Sequence, residues 1–296
     1  MIRRALCGAL LLAGCSGSTP SGLSGTGAST DAGTTPTPVT ESDAGGPVVV
    51  GPGSEVDGGV TPPRVISEVF GQSGNTLFRL DPTTKALTTV GVFSGCGDRV
   101  IDIALDKNSK LYGTTYSSLV AIDRTTAVCT IIANGTYPNS LSFVPAGTVD
   151  ATSEALVGYQ GSTYVRINPT SGAVTTIGTL GGGYTSSGDI VSVIGGATYL
   201  TAKGGPNGGC NDCLLEVNPA TGALVKNWGS VDHSSVFGLA FWAGTVYGFT
   251  DAGKLFSVEF DRTTLRITDL AIPNAPSSLS FFGAGSTTSA PIDIPR

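Results

Sequence analysis

Five stretches of the chain repeat one arrangement of apolar and polar positions: LFRLDPTTKALTTVG from 77, LVAIDRTTAVCTII from 119, YVRINPTSGAVTTIG from 164, LLEVNPATGALVKNW from 214 and LFSVEFDRTTLRITDL from 255. In each, apolar and polar residues alternate with the two-residue period of a half-buried strand. An Asp or Asn follows, at Asp81, Asp123, Asn168, Asn218 and Asp261, and in three copies Pro82, Pro169 or Pro219 comes next. An Asx side chain at the first turn position accepts a hydrogen bond from the backbone two residues on, and Pro at the second presets φ near −65°. Gly172 and Gly222 then supply a left-handed residue before the next strand. Each phrase therefore predicts a β-hairpin. Lys85, Ala127 and Leu265 replace that glycine in the other copies, so those turns must be strained or differently shaped.

A second motif precedes each hairpin: DIALD from 102, SLSFV from 140, DIVSV from 189, GLAFW from 238 and SLSFF from 278. Short strands such as KLYGTT from 110 and TVYGF from 245 follow most of them. One unit thus holds four antiparallel strands, and the Asx positions recur every 42 to 50 residues. A unit of that length and content is a propeller blade. The chain enters at VISEVFG (65–71) and LFRLD without an innermost strand, and leaves at SLSFF (278–282), an innermost strand with no blade of its own. Joining the two ends completes a fifth blade and removes the exposed edge. The predicted fold is all-β: a five-bladed β-propeller of four-stranded antiparallel blades, closed by the C-terminal strand. One face of the innermost strands reads Asp102/Ala104, Ser140/Ser142, Asp189/Val191, Gly238/Ala240 and Ser278/Ser280. Such small residues suit strands crowded round a narrow axis.

The N-terminus follows a different logic. MIRRALCGALLLAGCSGS has two arginines, then an apolar run from 5 to 13 that is too short to span a bilayer, then Cys15. The LAGC sequence (12–15) resembles the lipobox of bacterial lipoproteins. The resemblance implies that residues 1–14 are a signal peptide, that the Cys15 sulfur carries a diacylglyceryl group, and that the new amino terminus is acylated. Two or three acyl chains, at about 0.8 kcal/mol per buried methylene, anchor stably where one would not. Ser16, where an aspartate would favour inner-membrane retention, implies the outer membrane. An ordinary signal peptide with an incidental cysteine is the plainer reading. Residues 15–63 lack aromatic residues, lysine and arginine. Such a segment cannot bury enough apolar surface to fold and reads as a tether, with a reach of roughly 35–40 Å. The domain is then predicted over 64–283, with 284–296 as a flexible tail. Over 65–282 the repeats also resemble the tandem propeller repeats of secreted bacterial proteins, a resemblance of architecture that carries no catalytic residue across.

Composition excludes some partners. The chain is 13% charged with a formal net charge of −6, and no basic patch is available to neutralise phosphates. Nucleic acid is excluded, no cofactor motif is present, and a monomer is expected. The membrane contact is the lipid anchor alone.

Strand direction places the Asx turns, with the loops after the inner strands, on one face of the disc. The longer, variable loops fall on the other, and there a rigid scaffold presents function. Candidates on that face are Asp98, Arg99, Tyr137, Asn139, Tyr184, Asp232 and His233. Asp102 and Asp189 occupy equivalent inner-strand positions, so both could face the axis. A facing carboxylate pair serves general acid and base chemistry, as in five-bladed glycoside hydrolases, or holds a cation, or bonds backbone amides. Cys210 and Cys213 lie in one loop. Outside the cytoplasm they read first as a disulfide, with a zinc site that recruits His233 as the alternative. Even counting pairs Cys96 with Cys129. Their positions near opposite faces, on strands about 15 Å long, argue against it, so a bridge and a buried free thiol at Cys129 stand as equal alternatives. Together these features predict a lipid-anchored envelope module that binds a glycan, peptide or envelope protein without catalysis. A glycoside hydrolase using Asp102 and Asp189, or a purely structural surface protein, is the alternative.

Overall fold

The computed structural model describes residues 67–293. The signal sequence, Cys15 and the tether lie outside the described residues. What it describes is a five-bladed β-propeller in which every blade is an antiparallel sheet of four strands. In chain order, β1 (Val69–Gln72), β2 (Thr76–Leu80) and β3 (Leu87–Val92) begin the composite fifth blade. The first blade is β4 (Val100–Leu105), β5 (Leu111–Thr115), β6 (Ser118–Ile122) and β7 (Cys129–Asn134). The second is β8 (Leu141–Val144), β9 (Ala155–Gln160), β10 (Thr163–Ile167) and β11 (Val174–Thr179). The third is β12 (Tyr184–Ser192), β13 (Thr198–Gly204), β14 (Cys210–Val217) and β15 (Leu224–Ser230). The fourth is β16 (Val236–Trp242), β17 (Thr245–Thr250), β18 (Leu255–Asp261) and β19 (Thr264–Leu270). Finally β20 (Gly283–Ser286) pairs with β1 and supplies the missing inner strand.

The repeated hairpins form for the local reason their sequence gives. Asp81 Oδ1 accepts from Thr83 N and Thr84 N at 2.8 and 3.0 Å, and Asn168 and Asn218 make the same pair of bonds. Lys85 and Ala127 adopt the left-handed conformation that glycine takes elsewhere, with φ of 62° and 61°. In the fourth blade the turn shortens instead, with Asp261 pairing Thr264 and Arg262 at φ 49°. Each blade packs on its neighbours through an apolar cluster. Leu141, Phe143 and Ile167 of the second blade, for example, meet Tyr112 and Leu119 of the first.

Ring closure differs from expectation by one short segment. The inner strand of the fifth blade is Gly283–Ser286 and not SLSFF. The alternation of SLSFF matches SLSFV at 140, but the axis is too crowded for it. A Cβ on Gly283 would come within 2.4 Å of Asp102 Oδ1 and 2.9 Å of Gln72 Nε2. Only the glycine fits, and SLSFF becomes the approach to it. Phe281 is fully buried there, edge-on to Phe249 at 5.1 Å.

The expected flexible tail is corrected as well. Residues 287–292 cross the Asx-turn end of the axis and touch the inner loops of all five blades. Thr287 N donates to Glu68 O at 3.1 Å, Ile194 N to Thr288 O at 2.8 Å, and Ala243 N to Pro291 O at 2.7 Å. Ser289 Oγ donates to Lys107 O at 3.3 Å, and Thr288 Oγ1 bonds Glu154. Ala290 is 3% exposed. The segment holds because it satisfies loop backbone groups that the blades leave unpaired at the axis.

Both disulfides are formed. Cys210 and Cys213 lie 5.6 Å apart at Cα. Cys96 and Cys129 lie 4.8 Å apart, so the buried free thiol is excluded. Placing these two on opposite faces treats a blade as flat. Strands twist by roughly 20–25° each, so the exit of one blade's outermost strand swings toward the Asx turn of the next. Ser94 then pairs beside Val128, and Cys129 N donates to Ser94 O at 2.7 Å.

A chain ending at 283 therefore loses β20 and the segment behind it. Thermal unfolding followed by circular dichroism should show no cooperative transition for residues 64–283 and a cooperative one for 64–293. Equal transitions would show that closure lies elsewhere.

Candidate functional site

Five inner-strand positions share one level at the axis: Asp102, Ser140, Asp189, Gly238 and Gly283. Asp102 and Asp189 are fully buried and face each other across it, near enough for the charge of one to act on the other. The two glycines leave room for them. Each carboxyl also ties its blade to the next. Asp102 Oδ1 accepts from Ile103 N at 2.8 Å and its Oδ2 from Leu141 N at 2.7 Å. Asp189 accepts from Ile190 N and Leu239 N, both at 2.6 Å. Gln72 borders the pair, and its Nε2 is a buried donor with no partner among the described residues.

This arrangement is a brace. Burial pushes both carboxyls well above the usual carboxylate range, and at Asp102 the charge of Asp189 adds to it. Glycoside hydrolysis needs two carboxyls about 5–9.5 Å apart with sugar or water between them. Here every carboxyl oxygen accepts an amide, and no surface reaches solvent to admit sugar or water. The geometry does not fit the hydrolase expectation.

Directly above the brace the variable-loop face opens into a cavity of about 820 Å³. Its floor is formed by the apolar residues one step before that level, Ile101, Phe237 and Phe282, with Asn139 exposed at the edge. Pairing of β4 with β5 skips Ile101, and pairing of β16 with β17 skips Phe237. Such bulges re-aim side chains, and here they turn apolar residues into the mouth. Tyr116, 65% exposed, stands on one wall with Gln160, Thr136 and Tyr137. Phe237 and Phe282 stack at 6.3 Å, and the Arg99 guanidinium lies 5.2 Å from the Phe282 ring. The opposite end of the axis is closed by residues 287–292, so the cavity is a cup with one entrance.

Of the residues expected on this face, Tyr137 and Asn139 line the cup and Arg99 sits at its edge, with Asp98 accepting from Arg99 N at 2.7 Å. Tyr184 does not reach it. Its ring is buried between the second and third blades, and its hydroxyl accepts from Asn227 Nδ2 at 2.9 Å. His233 stacks on Phe256 at 4.2 Å and pairs with Asp269 at 2.8 Å, away from the axis, while Asp232 occupies an exposed left-handed turn. The zinc alternative fails because the Cys210 and Cys213 sulfurs are bonded to each other. Among the described residues no group of three or more metal-ligating side chains assembles. Tyr116, Gln160, Phe237 and Phe282 were not anticipated; a bulge leaves no mark on an alternating pattern. A groove of about 880 Å³ between the first and second blades, at the Asx-turn face, is shallow and lined mainly by turn residues.

No protein-family model matches the chain, and no curated protein matches its sequence. Among solved structures, a chain of a nidogen/laminin complex aligns at 14% identity over 77% of this chain and 100% of that one, with a TM-score of 0.46. A protein of unknown function from Bacteroides caccae aligns at 12% identity over 73% and 77%, with a TM-score of 0.39. The PQQ-bound aldose sugar dehydrogenase of Streptomyces coelicolor aligns at 15% over 70% and 78%, with a TM-score of 0.39. Likeness of this degree transfers no function.

The brace has a pH signature. In the unfolded chain an aspartate releases its proton near pH 3.9, whereas the raised pair keeps one. Folding then takes up a proton above about pH 4. The pair's contribution to stability is greatest below that pH and falls as pH rises toward the raised folded values, by about 1.4 kcal/mol per pH unit per proton. Asp189→Asn removes one titrating group and keeps one side-chain oxygen to accept an amide, while the second acceptor is lost. Urea unfolding at pH 5 and pH 8 should show a smaller loss for the variant than for the parent. Identical losses would contradict a proton-holding pair.

Proposed function

We propose that the protein is a lipid-anchored β-propeller displayed at the bacterial outer membrane, where it captures a ligand without catalysis in the aromatic cup. The observation that carries this reading is the asymmetry of the axis. One end is closed by the chain's own C-terminal segment, while the other opens over exposed rings and neutral amides. Binding sites are typically concave, mostly apolar and furnished with a few polar groups, with volumes of roughly 300–1,000 Å³. The cup has that character. The tether and the Cys15 lipid would hold it a few tens of ångströms from the membrane, so a glycan, peptide or envelope protein is within reach.

The anchor is tested by fractionation. Wild-type protein should incorporate radiolabelled palmitate and sediment with outer membranes. Cys15→Ser should lose the label and appear in the soluble fraction. Label retained on the Cys15→Ser protein would refute lipidation at this residue.

A further inference from the structure

We infer that the cup's ligand is a neutral saccharide that presents one or two sugar rings to Tyr116, Phe237 and Phe282. This rests on the proposed reading of the cup as the binding site and goes further by assigning the chemical class. Three observations lead to it.

The first is charge. No Asp, Glu, His, Lys or Arg lines the cup; its polar groups are Thr136, Asn139, Gln160 and the hydroxyls of Tyr116 and Tyr137. A charged ligand would lose hydration there and find no opposite charge to replace it. The nearest cation, Arg99, already covers Phe282. A quaternary ammonium or lysine side chain would compete with it for that ring and be repelled. Arg99 in turn is balanced by Asp98 one residue away, so the rim offers no net attraction to an anion.

The second is the mixture of surfaces. Tyr116 is exposed on the wall, and Phe237 and Phe282 form a stacked apolar floor. A pyranose has one face of C–H groups that lies on such rings and a girdle of hydroxyls that both donate and accept. Asn139 stands exposed at the edge, and Gln160 donates to Thr136 O at 3.2 Å while its carbonyl oxygen is free to accept. Neutral amides that donate and accept are the complement of hydroxyls.

The third is volume. About 820 Å³ with one entrance and a floor sealed by the carboxyl brace admits a disaccharide end-on and excludes passage through the ring.

The test uses the full-length lipoprotein in a detergent without a sugar headgroup. Isothermal titration is run with cello-, malto- and chito-oligosaccharides of two to four rings, with matched glucosamine and glucuronate oligomers, and with a panel of tripeptides. Saturable binding of at least one neutral series is expected, at least tenfold tighter than its charged counterpart, a difference of about 1.4 kcal/mol. Tyr116→Ala, which removes an exposed side chain, should weaken it tenfold or more with the melting temperature unchanged. Gln160→Ala should weaken it less. No saturable saccharide, or tightest binding by the cationic oligomer, would overturn the inference. Binding of a tripeptide that Tyr116→Ala abolishes would overturn the saccharide class while leaving the cup as the site. Saccharide binding unaffected by Tyr116→Ala would show that the cup is not where it occurs.

Discussion

Five inner strands can share one axis only if the side chains at each level fill the space between them without colliding. Here that level carries two aspartates, a serine and two glycines. The carboxyls take the room that the glycines give up, and each accepts one amide from its own strand and one from the next blade's. A buried polar group without partners is costly, so the pair fixes the spacing of the blades around it as firmly as the apolar clusters do. It also dictates what can close the ring, because the last inner strand must pass beside Asp102 with no side chain at that point. Gly283 meets this condition.

The same crowding explains the asymmetry of the disc. The chain leaves the closing strand at the Asx-turn end and turns across it, since loop backbone groups there have no other partners. That end becomes solid. At the other end the bulges in β4 and β16 direct Ile101 and Phe237 toward the mouth, where no described segment crosses the axis. The proposed binding surface lies where the structure stops satisfying itself.

Much of this was legible in the sequence because the signals are local. An Asx residue, a proline and a left-handed residue specify a hairpin within six positions, and their spacing gives the blade. The count of five follows from the unmatched ends. The carboxylate pair could be read from the equivalence of Asp102 and Asp189 in the repeats. Features that depend on how sheets bend were not legible. SLSFF and GAGS both suit an inner strand by pattern, and only the space beside Asp102 separates them. The Cys96–Cys129 bridge needs the blade's twist. Phe237 and Phe282 read as ordinary strand residues until a bulge or a late register turns them to the mouth. Tyr184 and His233 failed in the opposite sense: Tyr184 opens β12 with its ring buried between two blades, and the His233 ring is drawn onto Phe256 of the fourth blade.

Ring closure is the claim on which the brace, the sealed end and the cup all rest, and native-state hydrogen exchange at the closing strand tests it most directly. Phe282 N donates to Gln72 O at 2.8 Å, and Ala284 and Gly285 pair with Gly71 and Phe70 in β1. If β20 seals the ring, the amides of 282–286 exchange only through global unfolding, with protection equal to that of the inner strands β4 and β16. Protection at the level of exposed loops, while β4 and β16 remain protected, would mean that the blades hold together without it and would contradict the account.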